Sequence, residues 1–325
     1  MNELIIGFHS VWFWENQLFF GEDEVSTKSY GDHIFYPLIA LKNYAKKRGV
    51  TIGRINEFTL EEIDAFVFHE VPLKNDPYFQ FALQSGKPMF LYNYETKEVY
   101  LETHKIENHE PFIKVFTNHD QYLTSSKYIK INPFCLDVTP PIRNTVKSNL
   151  LTMISKNKWW FNNQSPNVLY NERLRAIEWF EKHHPTCFDF YGYDWDPSQH
   201  TCYKGITTSK IDTLSKYKFA LCYENIKDVP GYITEKILDC FRAGCVPIYL
   251  GANNIHSYIP ADCFIDKRQF SSYQELYDFI DDMSNQKYMG YLQAVEKFMC
   301  SQQSEHFSVN NFVNTMWTGF MSVLK

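Results

Sequence analysis

The sequence has no excess of positive charge, no long apolar run and no paired-cysteine motif, and each absence removes a class of function. Lys and Arg number 32 against 38 Asp and Glu, a formal net charge of −6. A duplex-binding surface needs a basic face that displaces counterions. The longest basic run, Lys46-Lys47-Arg48, reads instead as the solvated end of a helix, so nucleic acid is not an expected partner. No stretch approaches the ~20 apolar residues of a membrane span. Leu4–Phe8 is strand-length rather than a secretory signal. The expectation is a cytoplasmic protein, soluble or at most attached peripherally to the cytoplasmic face of a membrane. The eight cysteines form no CxxC pair and no Cys/His cluster of zinc spacing. Several lie in apolar runs, where a reduced thiol behaves as a small hydrophobe. Tandem repeats and low-complexity tracts are missing too.

What is present is the material of two globular domains. The chain has 325 residues, 44% hydrophobic and 22% charged, too long for one ordinary core. Aromatics reach 17%, with 22 Tyr and 27 Phe. Most of them serve cores, although Tyr and Trp also suit flat, amphipathic ligands such as sugars. Short apolar runs alternate with helical patterns. Leu4–Phe8, Ala65–Val71, Lys87–Glu95, Phe112–Thr117 and Tyr128–Ile131 read as strands; Ile34–Lys46 and Pro77–Leu83 read as helices. Residues 133–143 hold three prolines and read as a linker. The alternation then restarts with strands at Leu150–Ile154, Phe188–Tyr191, Tyr217–Tyr223 and Cys245–Leu250. Helices are expected over about 171–183, 211–215, 234–242, 273–282, 288–299 and 312–324. Such alternation predicts an α/β fold of two Rossmann-like, doubly wound domains, 1–140 and 141–325, facing a central cleft. Ligands of these sheets bind beyond the carboxyl ends of the strands.

Tyr217–Gly251, YKFALCYENIKDVPGYITEKILDCFRAGCVPIYLG, concentrates the chemistry. A buried strand delivers Glu224-Asn225, Pro230-Gly231 turns the chain, and a helix starts at Thr234-Glu235-Lys236. A helix N-terminus offers free N–H groups and a positive dipole end, which favour an anion. Lys236 is oddly placed there for helix stability alone, and a phosphate would remove that cost. Glu235 has the two oxygens needed for a ribose diol. Asn225 and Tyr232 add neutral hydrogen-bonding groups. The plainer alternative makes Thr234 an N-cap, Glu235 a dipole partner and Lys236 a solvated charge.

The same segment resembles the signature of the α-1,3/4-fucosyltransferase family, glycosyltransferase family ten. The likeness is carried by Tyr217-Lys218-Phe219, Glu224-Asn225, Gly231-Tyr232-Ile233-Thr234-Glu235-Lys236 and Ala243-Gly244-Cys245-Val246-Pro247, ending at Gly251. Weaker likeness extends over about residues 85–275. The resemblance implies a GT-B architecture and an inverting enzyme that moves fucose from GDP-fucose to a glycan hydroxyl in an α-1,3/4-type linkage. It places Glu235 on the ribose, and Lys236, Asn225 and Tyr232 on the diphosphate. It also implies an arginine on the first helix of the donor domain, with Arg175 aligned best and Arg173 next. An Arg fork can bond two phosphate oxygens at once. Residues 1–140 would then bind the acceptor and 141–325, with its C-terminal helices, the donor. Other readings are another GDP-deoxysugar donor or a catalytically silent sugar-binding protein.

Direct displacement needs a carboxylate to accept the acceptor's proton. The family takes it just after a strand in a pattern like F-x-E-S-P. The matching residue is Glu95, although Thr96-Lys97 stands where Ser-Pro is usual; Glu98 and Glu102 are fallbacks. His9, Trp12 and Trp14 follow the first strand and are candidates for acceptor contact. No metal ligand set is expected, since Lys236 and an arginine can neutralise a diphosphate; Mn or Mg would be a stimulant, not a requirement. Asp194-Trp195-Asp196 looks like a metal-binding DxD, but Asp194 reads better as a turn cap before Pro197. The apolar stripe Met316, Trp317, Phe320, Met321, Leu324 reads as a helix packed onto a domain, because a membrane-surface helix would be richer in Lys and Arg.

Overall fold

Buried, β-branched and aromatic runs become strands here, and the periodic segments between them become the helices that cover those strands. The computed structural model describes residues 3–12, 35–133, 147–158 and 165–324. Trp14 and most of the expected linker lie outside these residues. The chain divides into two compact units: residues 1–135 with 306–325, and residues 136–305.

In the first unit the strands are β1 (Leu4–Ser10), β2 (Val50–Arg54), β3 (Ala65–His69), β4 (Met89–Asn93), β5 (Lys114–Thr117) and β6 (Tyr128–Lys130). They form a parallel sheet of order β2-β1-β3-β4-β5-β6. Residues 50–54 were not expected to be a strand. The run is only five residues, broken by Gly53 and preceded by the basic turn, so its alternation of Val50 and Ile52 is too brief to stand out. Helix α1 (Tyr36–Lys46) buries Leu38, Leu41 and Ala45, one stripe at helical spacing. Helix α2 (Pro77–Ser85) starts on Asp76, whose carboxylate accepts the Phe79 N–H, and stops at Gly86 in the left-handed conformation.

The second unit holds β7 (Asn149–Ile154), α3 (Tyr170–His183), β8 (Phe188–Tyr191), α4 (Lys210–Leu214), β9 (Tyr217–Tyr223), α5 (Glu235–Arg242), β10 (Val246–Leu250), β11 (Ile265–Asp266), α6 (Tyr273–Asp281) and α7 (Asn285–Met299). Its sheet is also parallel, in the order β11-β10-β9-β7-β8. In both sheets the strand order reverses once beside the first strand, between β1 and β3 and between β7 and β9. Those are the points where connections diverge to opposite faces and leave a crevice at the carboxyl ends.

The last helix, α8 (Val309–Leu324), corrects the expected domain boundary. It belongs to the first unit, not the second. Phe312, Val313, Met316 and Phe320 join α1, β1, β3 and β4 in one core. The Phe320 ring meets Phe8, Phe90 and Phe116 at centroid distances of 6.3, 4.9 and 5.5 Å. A Cβ on Gly319 would stand 2.4 Å from the Phe116 ring, so the helix approaches the sheet closely there. The stripe is therefore spent on packing, as expected, although on the other unit. Among the described residues no helix is long and apolar enough to cross a membrane.

Phe320→Ala should cost about 3–5 kcal/mol, the range for truncating a buried aromatic ring. Denaturant unfolding would measure it, and a loss below about 1 kcal/mol would contradict the docking of α8 as a core element.

Candidate functional site

The crevice of the second unit is organised by a carboxylate with no solvent exposure. Glu224 directly follows β9. Its Oε1 accepts the Thr234 N–H at 2.8 Å and its Oε2 accepts the Thr234 hydroxyl at 2.6 Å. The chain thus returns to its own strand end before α5 begins. Thr234 is the N-cap, its hydroxyl oxygen lying 3.5 Å from the Lys236 N–H. The Lys236 ammonium donates to the Thr234 hydroxyl at 2.9 Å and lies 3.3 Å from Glu224 Oε2. A cation in the first turn of a helix is disfavoured by the dipole; the carboxylate of Glu224 offsets that inside the protein itself. Gly251 makes room for it, because a Cβ there would fall 2.5 Å from Glu224 Cγ and 2.4 Å from the Tyr249 hydroxyl.

Three cations and three carboxylates meet around the first turn of α5. Lys236 Nζ lies 3.5 Å from Glu235 Oε1. Lys210, from α4, reaches the same oxygen at 3.6 Å and Asp239 Oδ2 at 3.9 Å. Burial alone would raise the Glu235 carboxyl, but Lys236 and Lys210 outweigh it and hold it at about 2. For Lys236, burial works against the charge, and Glu235 with Glu224 more than restores it, so its proton is held above the usual lysine range. Both groups are charged at neutral pH. Lys210 was not among the expected site residues. It sits on a short helix 25 positions before Glu235, and only the packing of α4 against α5 brings them together.

Arg173, not Arg175, joins this group. Arg173 is buried, and its Nη2 donates to the carbonyls of Tyr223 and Glu224 at 2.8 and 2.7 Å and to Asn225 Oδ1 at 3.1 Å. It lines a small cavity of about 70 Å³ together with Lys210, Glu235 and Lys236. Arg175 is 72% exposed and pairs with Glu172 at 3.2 Å. The reason is geometric: two residues apart on a helix means about 200° of rotation, so only one of the pair can face Glu235. Arg175 instead lines a neighbouring cavity of about 660 Å³ with Lys227, Lys267 and Arg268. Asn225 donates from Nδ2 to the Tyr232 hydroxyl at 3.3 Å, so these two expected residues are held as a pair beside Arg173.

The expected acidic and aromatic residues of the first unit lie at the carboxyl ends of its sheet. Glu95 follows β4 and is half-buried; its carbonyl is 2.9 Å from His104 Nε2 and 2.8 Å from His119 Nε2. Glu102 is bound up with Lys105 and Asn108, and Glu98 lies 3.9 Å from Lys97. His9 is buried with its Nε2 at 3.1 Å from Asp76, the residue that caps α2. Trp12 stands edge-on to Tyr100 at 5.5 Å. In the DxD-like triplet, Trp195 is core, donating to the Ser155 carbonyl at 2.6 Å. Turn capping falls to Asp196 rather than to Asp194, since Asp196 accepts the Ser198 N–H and hydroxyl. Among the described residues no group of three or more His, Cys, Asp or Glu side chains is placed to hold a metal ion.

Two outcomes follow from the charges around α5. Glu224→Gln should destabilise the chain by about 3 kcal/mol, because a largely buried ammonium loses one of its two compensating carboxylates and Thr234 loses its charged acceptor; unchanged urea unfolding would contradict the clamp. The second concerns acid. The unfolded Glu235 carboxyl takes a proton near 4.5, whereas the folded one resists until about 2. Its contribution to stability is therefore complete above pH 4.5 and lost as pH falls toward 2. Urea unfolding at pH 5 and pH 3 should show a steeper loss for the parent chain than for Glu235→Gln, and equal losses would contradict the pairing.

The model of glycosyltransferase family 10 (fucosyltransferase), C-terminal part, matches residues 153–317, just over half of the chain. The mouse 4-galactosyl-N-acetylglucosaminide 3-alpha-L-fucosyltransferase 9 is 44% identical over 87 residues, which are 25% of this chain and 23% of that protein. The alpha-(1,4)-fucosyltransferase of Arabidopsis thaliana is 42% identical over 67 residues, 21% of this chain and 16% of that protein. The chain thus matches less than a quarter of the length of these curated relatives. The crystal structure of an alpha1,3-fucosyltransferase with GDP-fucose superposes over 97% of this chain and 89% of that one, with a TM-score of 0.54 at 16% identity. That likeness identifies the fold as GT-B. On the family match, the chain belongs to glycosyltransferase family 10, the fucosyltransferase family.

Proposed function

We propose that the chain transfers L-fucose from GDP-fucose to a hydroxyl of a saccharide, inverting the anomeric centre and forming an α-1,3- or α-1,4-type linkage. The observation that carries this reading is the Glu224-supported start of α5, which sets Glu235 and Lys236 in the same cavity as Arg173, beside the point where the strand order reverses. In this reading Glu235 accepts hydrogen bonds from the ribose diol. Lys236 and Arg173, with Asn225 and Tyr232 behind them, hold the diphosphate. Arg173 replaces Arg175 in that role because it faces Glu235, while Arg175 serves the neighbouring cavity. The two cations supply the charge that the leaving diphosphate needs, so a divalent ion stimulates rather than enables the reaction.

Glu95 of the first unit acts as the base. The acceptor oxygen attacks the anomeric carbon, its proton passes to the Glu95 carboxylate, and the bond to the β-phosphate breaks with its electron pair leaving on GDP. His9 and Trp12, with Trp14, contribute to the acceptor side. The likeness to the mouse 4-galactosyl-N-acetylglucosaminide 3-alpha-L-fucosyltransferase 9 favours a glycan acceptor.

A panel of GDP- and UDP-sugars, read by melting shift and by nucleotide release, tests the donor. GDP-fucose should stabilise and be turned over, and Glu235→Ala should abolish the shift. Glu95→Gln should keep the shift and lose transfer by roughly 10²–10⁴-fold, the scale of a positioned base. Turnover of UDP-sugars alone would overturn the donor assignment, and near-normal transfer by Glu95→Gln would remove that residue from the chemistry.

A further inference from the structure

The first unit contains a second fully buried carboxylate, Glu70, to which no role has been given. It directly follows β3, at the point where the strand order of that sheet reverses. Its backbone is left-handed, with φ of 62°, a conformation that a side chain disfavours and that Gly or Asn would take more readily. A charged, non-glycine residue in this place carries both a backbone and a desolvation cost. The structure shows what those costs accompany. Glu70 Oε1 accepts the N–H groups of Tyr94 and Glu95, both at 3.0 Å, and Oε2 accepts the Asn93 amide at 3.0 Å. The Glu70 N–H donates to the Tyr92 carbonyl at 3.0 Å. One side chain thus closes the end of β4.

The grip continues on the other side of Glu95. Asn93 Oδ1 accepts the Thr117 hydroxyl at 2.9 Å, and Thr117 Oγ1 accepts the His119 N–H at 3.1 Å. His119 and His104 both meet the Glu95 carbonyl. The peptide groups on either side of the Glu95 Cα are therefore held, one by Glu70 and one by the two histidines. Burial pushes His119 down to about 4, so at neutral pH it is an uncharged ring able to donate from Nε2. The Cα–Cβ direction of Glu95 follows from those two fixed peptides.

We propose that Glu70 is a positioning residue whose carboxylate, by holding the Tyr94 and Glu95 N–H groups, sets the direction in which the Glu95 side chain meets the acceptor hydroxyl. The inference rests on the reading of Glu95 as the base. It requires Glu70 to act through Glu95 and through nothing else in the reaction.

A double-mutant cycle on the full chain separates these statements. Glu70→Ala should lower kcat by roughly 10–100-fold, the scale of a misplaced reacting group, with KM for GDP-fucose and the GDP-fucose melting shift unchanged. In the Glu95→Gln background the same substitution should change kcat by less than about 2-fold, because a group acting through a removed base has nothing left to position. If Glu70→Ala does not fold, Glu70→Asp takes its place in the cycle, since its shorter side chain keeps the charge but cannot reach both N–H groups. Equal losses in the two backgrounds, a changed donor KM, or kcat within 2-fold of the parent would overturn the positioning role. Failure of the parent chain itself to transfer fucose would instead sink the activity on which the role rests.

Discussion

The start of α5 depends on Glu224. Two adverse features coincide there: a charged lysine in the first helical turn and a loop that must return sharply after Pro230. Glu224 answers them together by accepting from the backbone and the hydroxyl of Thr234 and by pairing with Lys236. A buried carboxylate is stable only when its lone pairs are met and its charge is compensated, and here both conditions are satisfied within one turn of chain. The geometry of Glu235 and Lys236 is thus a consequence of a residue that contributes no atom to the surface.

The first unit repeats the device with different chemistry. Glu70 also follows the strand beside the reversal of its sheet and also ties a loop to a strand end, but its partners are backbone N–H groups and an amide, with His69 Nε2 at 3.5 Å. Parallel sheets leave the same problem wherever their order reverses: strand ends splay, and the loops that leave them carry unpaired backbone groups. A buried acidic side chain supplies two oxygens and up to four acceptor sites at one point, which few other residues can do. The side chains of Glu235 and Lys236, and that of Glu95, then sit on backbone that is already fixed.

Much of this was legible in the sequence. Alternation located nearly every strand, because a strand covered on both faces must be apolar throughout, as at Phe66-Val67-Phe68 and Val246–Leu250. The Thr234-Glu235-Lys236 start was visible because caps and turn residues are local. Nonlocal relations were not. Which of Arg173 and Arg175 faces Glu235 depends on how α3 is rotated against β9, and which unit receives α8 depends on the shape of an apolar face built from the far end of the chain, by Phe8, Phe90 and Phe116. Lys210 had no signal beyond its charge. Glu70 lay inside an expected strand, Ala65–Val71, where a lone acidic residue before Val71 offered a hint: an acid in an otherwise apolar run has to be paired or to sit at the strand's end. It does both.

The charge balance at α5 bears on how an anion could be held there. Arg173, Lys210 and Lys236 are set against Glu224, Glu235 and Asp239, so the cluster carries no net charge when all six are ionised. Bulk attraction is therefore weak, and recognition falls to direction: the ammonium of Lys236 and the fork of Arg173, each already aimed by hydrogen bonds within the protein. Donors held in this way need little reorganisation when charge develops on a leaving group. Neutrality also removes the mutual repulsion that three clustered cations would otherwise bring to the folded state. On the donor role proposed for this cluster, the cost moves to specificity, since Glu235 repels any anion placed on its own side of the turn, and the ligand brings hydroxyls to that carboxylate and negative charge to the cations beside it. A ribose joined to a diphosphate has that pattern.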